Sequence, residues 1–327
     1  MPKQPLRWGL LSTARINKAL ILPLRISKRN TLEAVASRSQ AKADAYGREH
    51  KIKHAYGSYE ALLADPEIDV IYNPLPNNLH SEWSIKAVEA GKHVLCEKPL
   101  ALSLVDVDAL ALAADRTGKI IAEAFAYRAH PHMRKVKEIV NSGKLGKIKM
   151  VHGSFTFVIS KNDDIRWDPA MGGGALWDIG CYPLSFARTI LGTEPLEVFG
   201  WQVTSPSGID EVFSGQLRFP GEIYFQLDCS FKIPEHVFME IVGDEGTLNI
   251  PQPFNITARK NLYLTRNGKT STIVVKGPDP YLAEVENFAD AVLLGKPPST
   301  SLSDSRHNTA AILALLESAK TGNPITL

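Results

Sequence analysis

The first 125 residues alternate short β-like runs with longer helix-like runs, and this alternation limits the fold more than any composition figure does. The strand-like runs are "RWGLLS", "TLEAVAS", "IDVIYNPLP", "HVLCEKP" and "KIIAEAFAY". Between them lie the helix-like "INKALILPLRIS", "SQAKADAYGREHK", "LHSEWSIKAVEAGK" and "SLVDVDALALAADRTG", with a short extra helix in "SYEALLAD". Strands joined through helices pair in parallel, because a parallel partner needs a long crossover. The apolar runs also lack strict polar alternation, as expected of strands covered on both faces. These features predict an α/β chain that opens with a doubly wound parallel sheet over residues 1–125.

After one more helix, "HMRKVKEIVNSG", the pattern changes. From Gly146 onward the runs are longer and strand-like: "KIKMVHGSFTFVIS", "LEVFGWQVTS", "EVFSGQLRFP", "EIYFQLDCSF", "VFMEIVGDEGTLNI", "ITARKNLYLTRN" and "STIVVKG". Gly, Pro and Asn separate them, the usual chemistry of antiparallel turns. A helix, "GALWDIGCYPLSFARTILG", interrupts the series, and two helices, "YLAEVENFADAVLLG" and "SDSRHNTAAILALLESAKTG", close it. Residues 126–327 are therefore expected to form an α+β domain on an open, mostly antiparallel sheet. A length of 327 residues fits two domains.

Composition removes several classes of partner. With 37 basic and 35 acidic side chains the formal net charge is +2, too balanced to call for nucleic acid or an anionic membrane. No apolar run reaches the ~18 residues that a bilayer span needs. The start, "MPKQPLRWGLL", has no small-residue cleavage site after its apolar run, so no signal peptide is expected. Cys96, Cys181 and Cys229 are too few and scattered for a disulfide framework, which points to a reducing cytoplasm.

The turn after the first strand, "WGLLSTARIN", stands where a dinucleotide-binding fold usually reads G-x-G-x-x-G/A. Here the three slots hold Ser12, Ala14 and Asn17. Small side chains at Ser12 and Ala14 still let backbone N–H groups and a helix N-terminus face a pyrophosphate. The alternative is an ordinary strand-to-helix turn. The second strand ends in "ASRS" with no acid to hold a ribose 2′-hydroxyl. Ser37 and Arg38 suit a 2′-phosphate instead, a hydroxyl beside a guanidinium fork, so NADP is expected over NAD. The alternative for Arg38 is a solvated surface arginine. "CEKPLA" ends the fourth strand, where ligands of such sheets sit, and fixes Lys98 at the cofactor edge. The Glu97–Pro99 region is a candidate for a cis peptide.

"CEKPLA", with "DVIYNPLPNNLH" before it and "GGGALWDIGCYP" after it, resembles the glucose-fructose oxidoreductase / inositol dehydrogenase / rhizopine-catabolism (Gfo/Idh/MocA) family over nearly the whole chain. "STARI", "ASR" and Tyr182, where many relatives carry histidine, place the resemblance nearest the dimeric dihydrodiol dehydrogenase and NADP-dependent xylose dehydrogenase branch. The resemblance implies a Rossmann domain holding a nicotinamide cofactor, and a second domain whose sheet joins a homodimer or homotetramer. It implies hydride exchange at a carbon bearing a hydroxyl, usually on a sugar or cyclic polyol. Cofactor contacts are expected from Ser12, Thr13, Ala14, Arg15, Ile16, Ser37, Arg38, Pro74, Asn77, His80, Glu97 and Lys98, with a capping or packing role as the alternative for His80. Lys98, Asp178 and Tyr182 are implied to face the substrate.

Oxidising an alcohol needs a hydride acceptor, a base and a positive charge for the developing oxyanion. Tyr182 is the first choice for proton transfer, with Lys98 lowering its pKa from the free value of ~10 or bonding the substrate oxygen itself. Asp178 lies four residues before Tyr182, on one face of a regular helix. It is read as binding a substrate hydroxyl or orienting Lys98. The alternatives are a surface carboxylate for Asp178 and a half-buried ring for Tyr182. Tyr127, Arg128, Arg166 and Trp167 are further substrate candidates. For Arg128 a structural ion pair is the alternative, and for Trp167 an exposed loop ring. His80 is expected near a helix start. Cys96 and Cys181 read as small buried residues. His93 with Cys96, or His130 with His132, gives no four-ligand spacing, so no metal is expected. The main expectation is oxidation of an aldose at C1 to its lactone. A dihydrodiol dehydrogenase, a dicarbonyl reductase, a nicotinamide-assisted glycoside hydrolase and a non-catalytic sugar sensor stay open beside it.

Overall fold

The computed structural model describes residues 4–161, 163–255 and 257–327. The chain divides into two compact units; one runs through Ala129 and includes Asp279–Arg306, and the other holds His130–Pro278 with His307–Leu327. The first unit is built from β1 (Leu6–Leu11), α1 (Asn17–Ile26), β2 (Asn30–Ala36), α2 (Gln40–Glu49), β3 (His54–Tyr56), α3 (Tyr59–Leu63), β4 (Val70–Asn73), α4 (His80–Glu89), β5 (His93–Glu97), α5 (Leu104–Thr117), β6 (Ile121–Ala124) and α6 (Ala126–Ala129). The six strands are parallel, in the order β3-β2-β1-β4-β5-β6. This is the dinucleotide-binding order, with the switch point between β1 and β4. Both faces are covered, as the lack of alternation required. Trp8, Leu10, Val35, Tyr72 and Leu95 pack on one side, and Leu11, Ala36, Ile71, Val94 and Cys96 on the other. The expected run "KIIAEAFAY" is strand only to Ala124; Tyr127 and Arg128 lie in α6 instead. β3 was not expected. At three residues it is too short to show a period.

The second unit holds α7 (Pro131–Asn141), β7 (Ile148–Thr156), α8 (Cys181–Leu191), β8 (Glu197–Thr204), β9 (Asp210–Phe219), β10 (Ile223–Ser230), β11 (His236–Gly243), β12 (Gly246–Pro251), β13 (Arg259–Arg266) and β14 (Lys269–Lys276). Its nine-stranded sheet has the order β14-β13-β12-β11-β7-β10-β9-β8-β15, closed at one edge by the two residues of β15 (Ile325–Thr326). Only β7 and β10 pair in parallel among its described strands. The single run "VFMEIVGDEGTLNI" is two strands joined by a turn at Asp244 and Glu245. The run expected from Ile256 begins at a residue outside the description. No helix among the described residues is long and apolar enough to cross a membrane.

Two helices close the chain, α9 (Pro280–Leu294) and α10 (Leu302–Thr321). α9 belongs with the first unit, where Phe288 meets Trp8 edge-on at 5.4 Å. Arg29 reaches across from the start of β2 to Glu286 and Asp290, its Nε donating to Glu286 at 2.7 Å. α9 also carries Glu284, which is buried; neither carboxylate oxygen has a hydrogen-bond partner among the described residues. Burial, then Glu97 and Asp279, push its pKa well above the ordinary value. The folded chain therefore keeps a proton that the unfolded chain loses above pH ~4.5. The stability contributed by that proton is present below this pH and is lost as pH rises. Glu284→Gln is expected to gain on the wild type by about 1.4 kcal/mol per pH unit above ~4.5 until Glu284 ionises. Urea unfolding at pH 5, 6.5 and 8 measures this; a difference that does not grow with pH overturns it.

Candidate active site

In the first unit the turn after β1 solves the missing glycines in its own way. Ser12 takes φ +86°, a conformation that glycine usually supplies. Ser12 N donates to Ala36 O at 3.0 Å, and its hydroxyl accepts from Ala14 N at 3.2 Å. Buried Asn17, at the third slot, holds the Ser12 carbonyl through Nδ2 at 2.8 Å. Side-chain hydrogen bonds thus support a backbone shape that elsewhere needs no Cβ. Thr13, Ala14 and Ile16 are half-buried and Arg15 is exposed at the head of α1. At the end of β2, Ser37 is buried and Arg38 exposed. Burial raises the pKa of Tyr59, while the Arg38 charge and its hydrogen bond to the Tyr59 hydroxyl hold it down. Arg38 is thus placed beside Tyr59 rather than left to solvent alone.

The loops after β4 and β5 are tied together. His80 opens α4, is buried, and sets Nδ1 at 2.7 Å from Pro99 O and Nε2 at 2.7 Å from Leu75 O. Burial pushes its pKa down to about 4. Asn73 donates to His80 O at 3.1 Å and Ser84 Oγ at 3.0 Å, which fixes the segment from Pro74 to Asn77. The Lys98–Pro99 peptide is cis. The Tyr72 hydroxyl donates to Glu97, Lys98 N donates to Glu97 Oε2 at 3.3 Å, and Leu100 N donates to Glu123 Oε1 at 2.9 Å. Glu97 and Lys98 are themselves half-buried. Tyr127 is buried against Phe125, and Arg128 pairs with Asp304 at 2.5 Å.

In the second unit the glycine-rich segment leads into a π-helical turn, Leu176–Gly180, that runs on into α8. The four-residue offset between Asp178 and Tyr182 therefore does not follow the α-helical repeat assumed from sequence. Asp178 accepts from Arg166 Nε at 2.7 Å, and Arg166 Nη1 lies 3.2 Å from Asp164. The Asp178 charge keeps the guanidinium firmly protonated. Tyr182 packs against Phe155 and Phe254, with centroids at 5.5 and 5.2 Å. Trp167 is half-buried: Nε1 bonds Lys161 O at 2.9 Å, one edge meets Phe231, and Lys232 Nζ sits 4.8 Å over the ring.

A model described as "Oxidoreductase family, NAD-binding Rossmann fold" matches residues 6–125, and one described as "GFO/IDH/MocA C-terminal domain" matches residues 133–249. The chain belongs to the Gfo/Idh/MocA oxidoreductase family. Over 324 residues it is 38% identical to a D-xylose 1-dehydrogenase (NADP(+)) of Haloferax volcanii, covering 98% of this chain and 99% of that one. It is 31% identical to a trans-1,2-dihydrobenzene-1,2-diol dehydrogenase of Danio rerio, with 94% of each chain covered. A solved 3-ketoreductase from Actinomadura kijaniata, in complex with NADP and TDP-benzene, superposes with a TM-score of 0.91 at 28% identity over 96% of this chain and 98% of that one. The chain is thus a nicotinamide-dependent oxidoreductase of this family, from the suspected branch.

The family's cofactor suits the residues present. The Ser12 turn leads into α1, whose N-terminus is the kind of backbone site that takes a pyrophosphate, and the β2 end offers Ser37 and Arg38. Sequence reasoning missed three buried acids, Glu123, Glu284 and Asp210, and the rings of Phe155 and Phe254. Only the last two left a trace, as apolar positions beside strand ends.

Proposed function

We propose that this oxidoreductase uses NADP to oxidise an aldose at C1 to its lactone, or runs the reverse reduction. The observation that carries the reading is the end of β2, where Ser37 and Arg38 stand in place of a carboxylate. The NADP-dependent xylose dehydrogenase relative supports both the cofactor and the substrate class. When bound, the nicotinamide supplies the hydride acceptor. Lys98 carries the positive charge that stabilises an alkoxide at the substrate oxygen, and Tyr182 moves the hydroxyl proton. Asp178 and Arg166 act as one unit, a carboxylate and a guanidinium that hydrogen-bond sugar hydroxyls. Exposed Trp201, Val203 and Tyr224 on β8 and β10 support assembly through the second unit's sheet.

The test is nicotinamide absorbance with NADP or NAD against a panel of aldoses, inositols and trans-diols. Turnover of an aldose with NADP is expected. Arg38→Ala is expected to raise KM for NADP about 10- to 100-fold, the worth of a charge-assisted phosphate contact, and to leave KM for NAD within about 3-fold. Equal effects on both cofactors overturn the phosphate reading.

A second reading is favoured by one observation. Phe155 and Phe254 pack on Tyr182, and Phe186 meets Phe254, an apolar aromatic surround that suits a cyclic trans-dihydrodiol, the compound named for the Danio rerio relative. Turnover of trans-diols in preference to aldoses in the same panel selects it.

A further inference from the structure

Asp210 opens β9 and is buried, at 4% exposure. Its Oδ2 accepts from Leu176 N at 2.7 Å, and Asp210's own N–H and Ala175 N also donate to the carboxyl. Gly174, at φ +124°, lies against the other oxygen; a Cβ there would stand 2.2 Å from Asp210 Oδ1. A carboxylate from a strand thus takes the place of an N-cap side chain, which Ala175 lacks. The segment it holds is the π turn: Asp178 N bonds Gly174 O at 3.0 Å, and α8 with Tyr182 follows at once. The far side of the turn is equally tight, since a Cβ on Gly180 would meet Cys229 Sγ at 2.8 Å.

We propose that Asp210 is a positioning residue: its ionised carboxylate pins the π turn that presents Asp178, and a proton on it loosens its hold on the backbone N–H groups of Leu176 and Ala175. This rests on the reading of Asp178 and Tyr182 as the substrate side of the site. A carboxylate offers lone pairs to every donor around it, whereas the acid form turns one lone pair into an O–H bond and leaves weaker acceptors. Burial favours the acid and pushes the carboxyl up to about 7, against the backbone bonds, which favour the anion. The titratable groups around it are Cys229, whose thiol is pushed up by burial and then by Asp210, and Cys181, Asp228 and Asp178 about the same sulfur. None of these is a cation.

Stability and positioning therefore pull in opposite directions. Between pH ~4 and about 7 the folded chain holds a proton on Asp210 that the unfolded chain has lost, so this residue's contribution to stability falls as pH rises through that window. Order in the π turn, and activity with it, rises through the same window.

Trp177 sits in the turn and reports on it without any need for substrate. In 5-fluorotryptophan protein, with the Trp177 signal assigned through Trp177→Phe, the 19F shift is expected to titrate with a midpoint near 7 and to stop titrating in Asp210→Asn. Asp210→Asn is also expected to cut kcat/KM about 10- to 100-fold at pH 8 and to flatten its rise between pH 6 and 8. A Trp177 signal that titrates alike in both proteins, or in neither, overturns the proposal. Should Asp210→Asn not fold, wild-type protein with 13C-labelled aspartate gives the carboxyl midpoint directly, and a value unlike that of Trp177 overturns it. Absence of turnover on every substrate counts against the proposed function, while the 19F titration still decides the role of Asp210.

Discussion

Lys98→Met is expected to lower kcat/KM about 10²- to 10³-fold, with the Kd for NADP changed by less than about 3-fold. The magnitude is that of one preorganised donor to a developing oxyanion, whose removal costs about 2.7–4 kcal/mol at the transition state. Methionine keeps the length and bulk of the lysine stem, so little packing is lost. The turn itself does not depend on the ammonium. It is held by His80 at Pro99 O, by Glu123 at Leu100 N and by Glu97 at Lys98 N. The loss should therefore fall on kcat more than on KM, as for an interaction made mainly in the transition state. The check is steady-state kinetics beside cofactor binding by fluorescence titration. A variant that retains a third of wild-type kcat/KM would remove Lys98 from the chemistry. A variant that no longer binds NADP would reassign it to the cofactor.

Much of this was legible in the sequence, for reasons that lie in periodicity. Parallel strands buried on both faces read as short apolar runs between helices, so β1, β2, β4, β5 and β6 were visible from "RWGLLS" to "KIIAEA". β3 was not, because His54–Tyr56 is half-buried throughout and has no apolar signature. The turn of "WGLLSTARIN" was readable as the strand-to-helix turn of a Rossmann fold, but not as one with Ser12 at positive φ, since the Asn17 carboxamide that supports it shows only in three dimensions. The same holds for "GGGALWDIG". Its glycines announce a close approach without naming what approaches. Gly173 is needed against the Arg166 and Asp168 carbonyls, and Gly174 against a carboxylate 36 residues downstream. The π turn breaks the spacing from which Asp178 and Tyr182 were paired, and no local residue pattern signals it. Arg128 illustrates the other limit. An arginine ending a strand-like run suits a ligand as well as an ion pair, and its partner Asp304, 176 residues away, has no trace in the local pattern.

Tyr182→Phe is expected to lower kcat about 10²- to 10⁴-fold, the range for loss of a positioned proton-transfer group. The substitution removes one oxygen and leaves the ring. That ring is held by Phe155 and Phe254, contacts that phenylalanine reproduces, so the thermal midpoint is expected to stay within about 2 °C. The comparison with Lys98→Met then separates two divisions of labour. If Tyr182 moves the proton and Lys98 stabilises the oxyanion, each variant alone is severely impaired, and the double variant is far less impaired than the product of the two losses, because the groups act as a unit. If Lys98 itself takes the proton, Tyr182→Phe loses only a hydrogen bond to the substrate oxygen, about 10-fold, and raises KM along with lowering kcat. Wild-type activity in Tyr182→Phe would leave the hydroxyl with no part in the chemistry. It would then leave Tyr182 as part of the aromatic cluster with Phe155 and Phe254, in favour of the trans-diol reading.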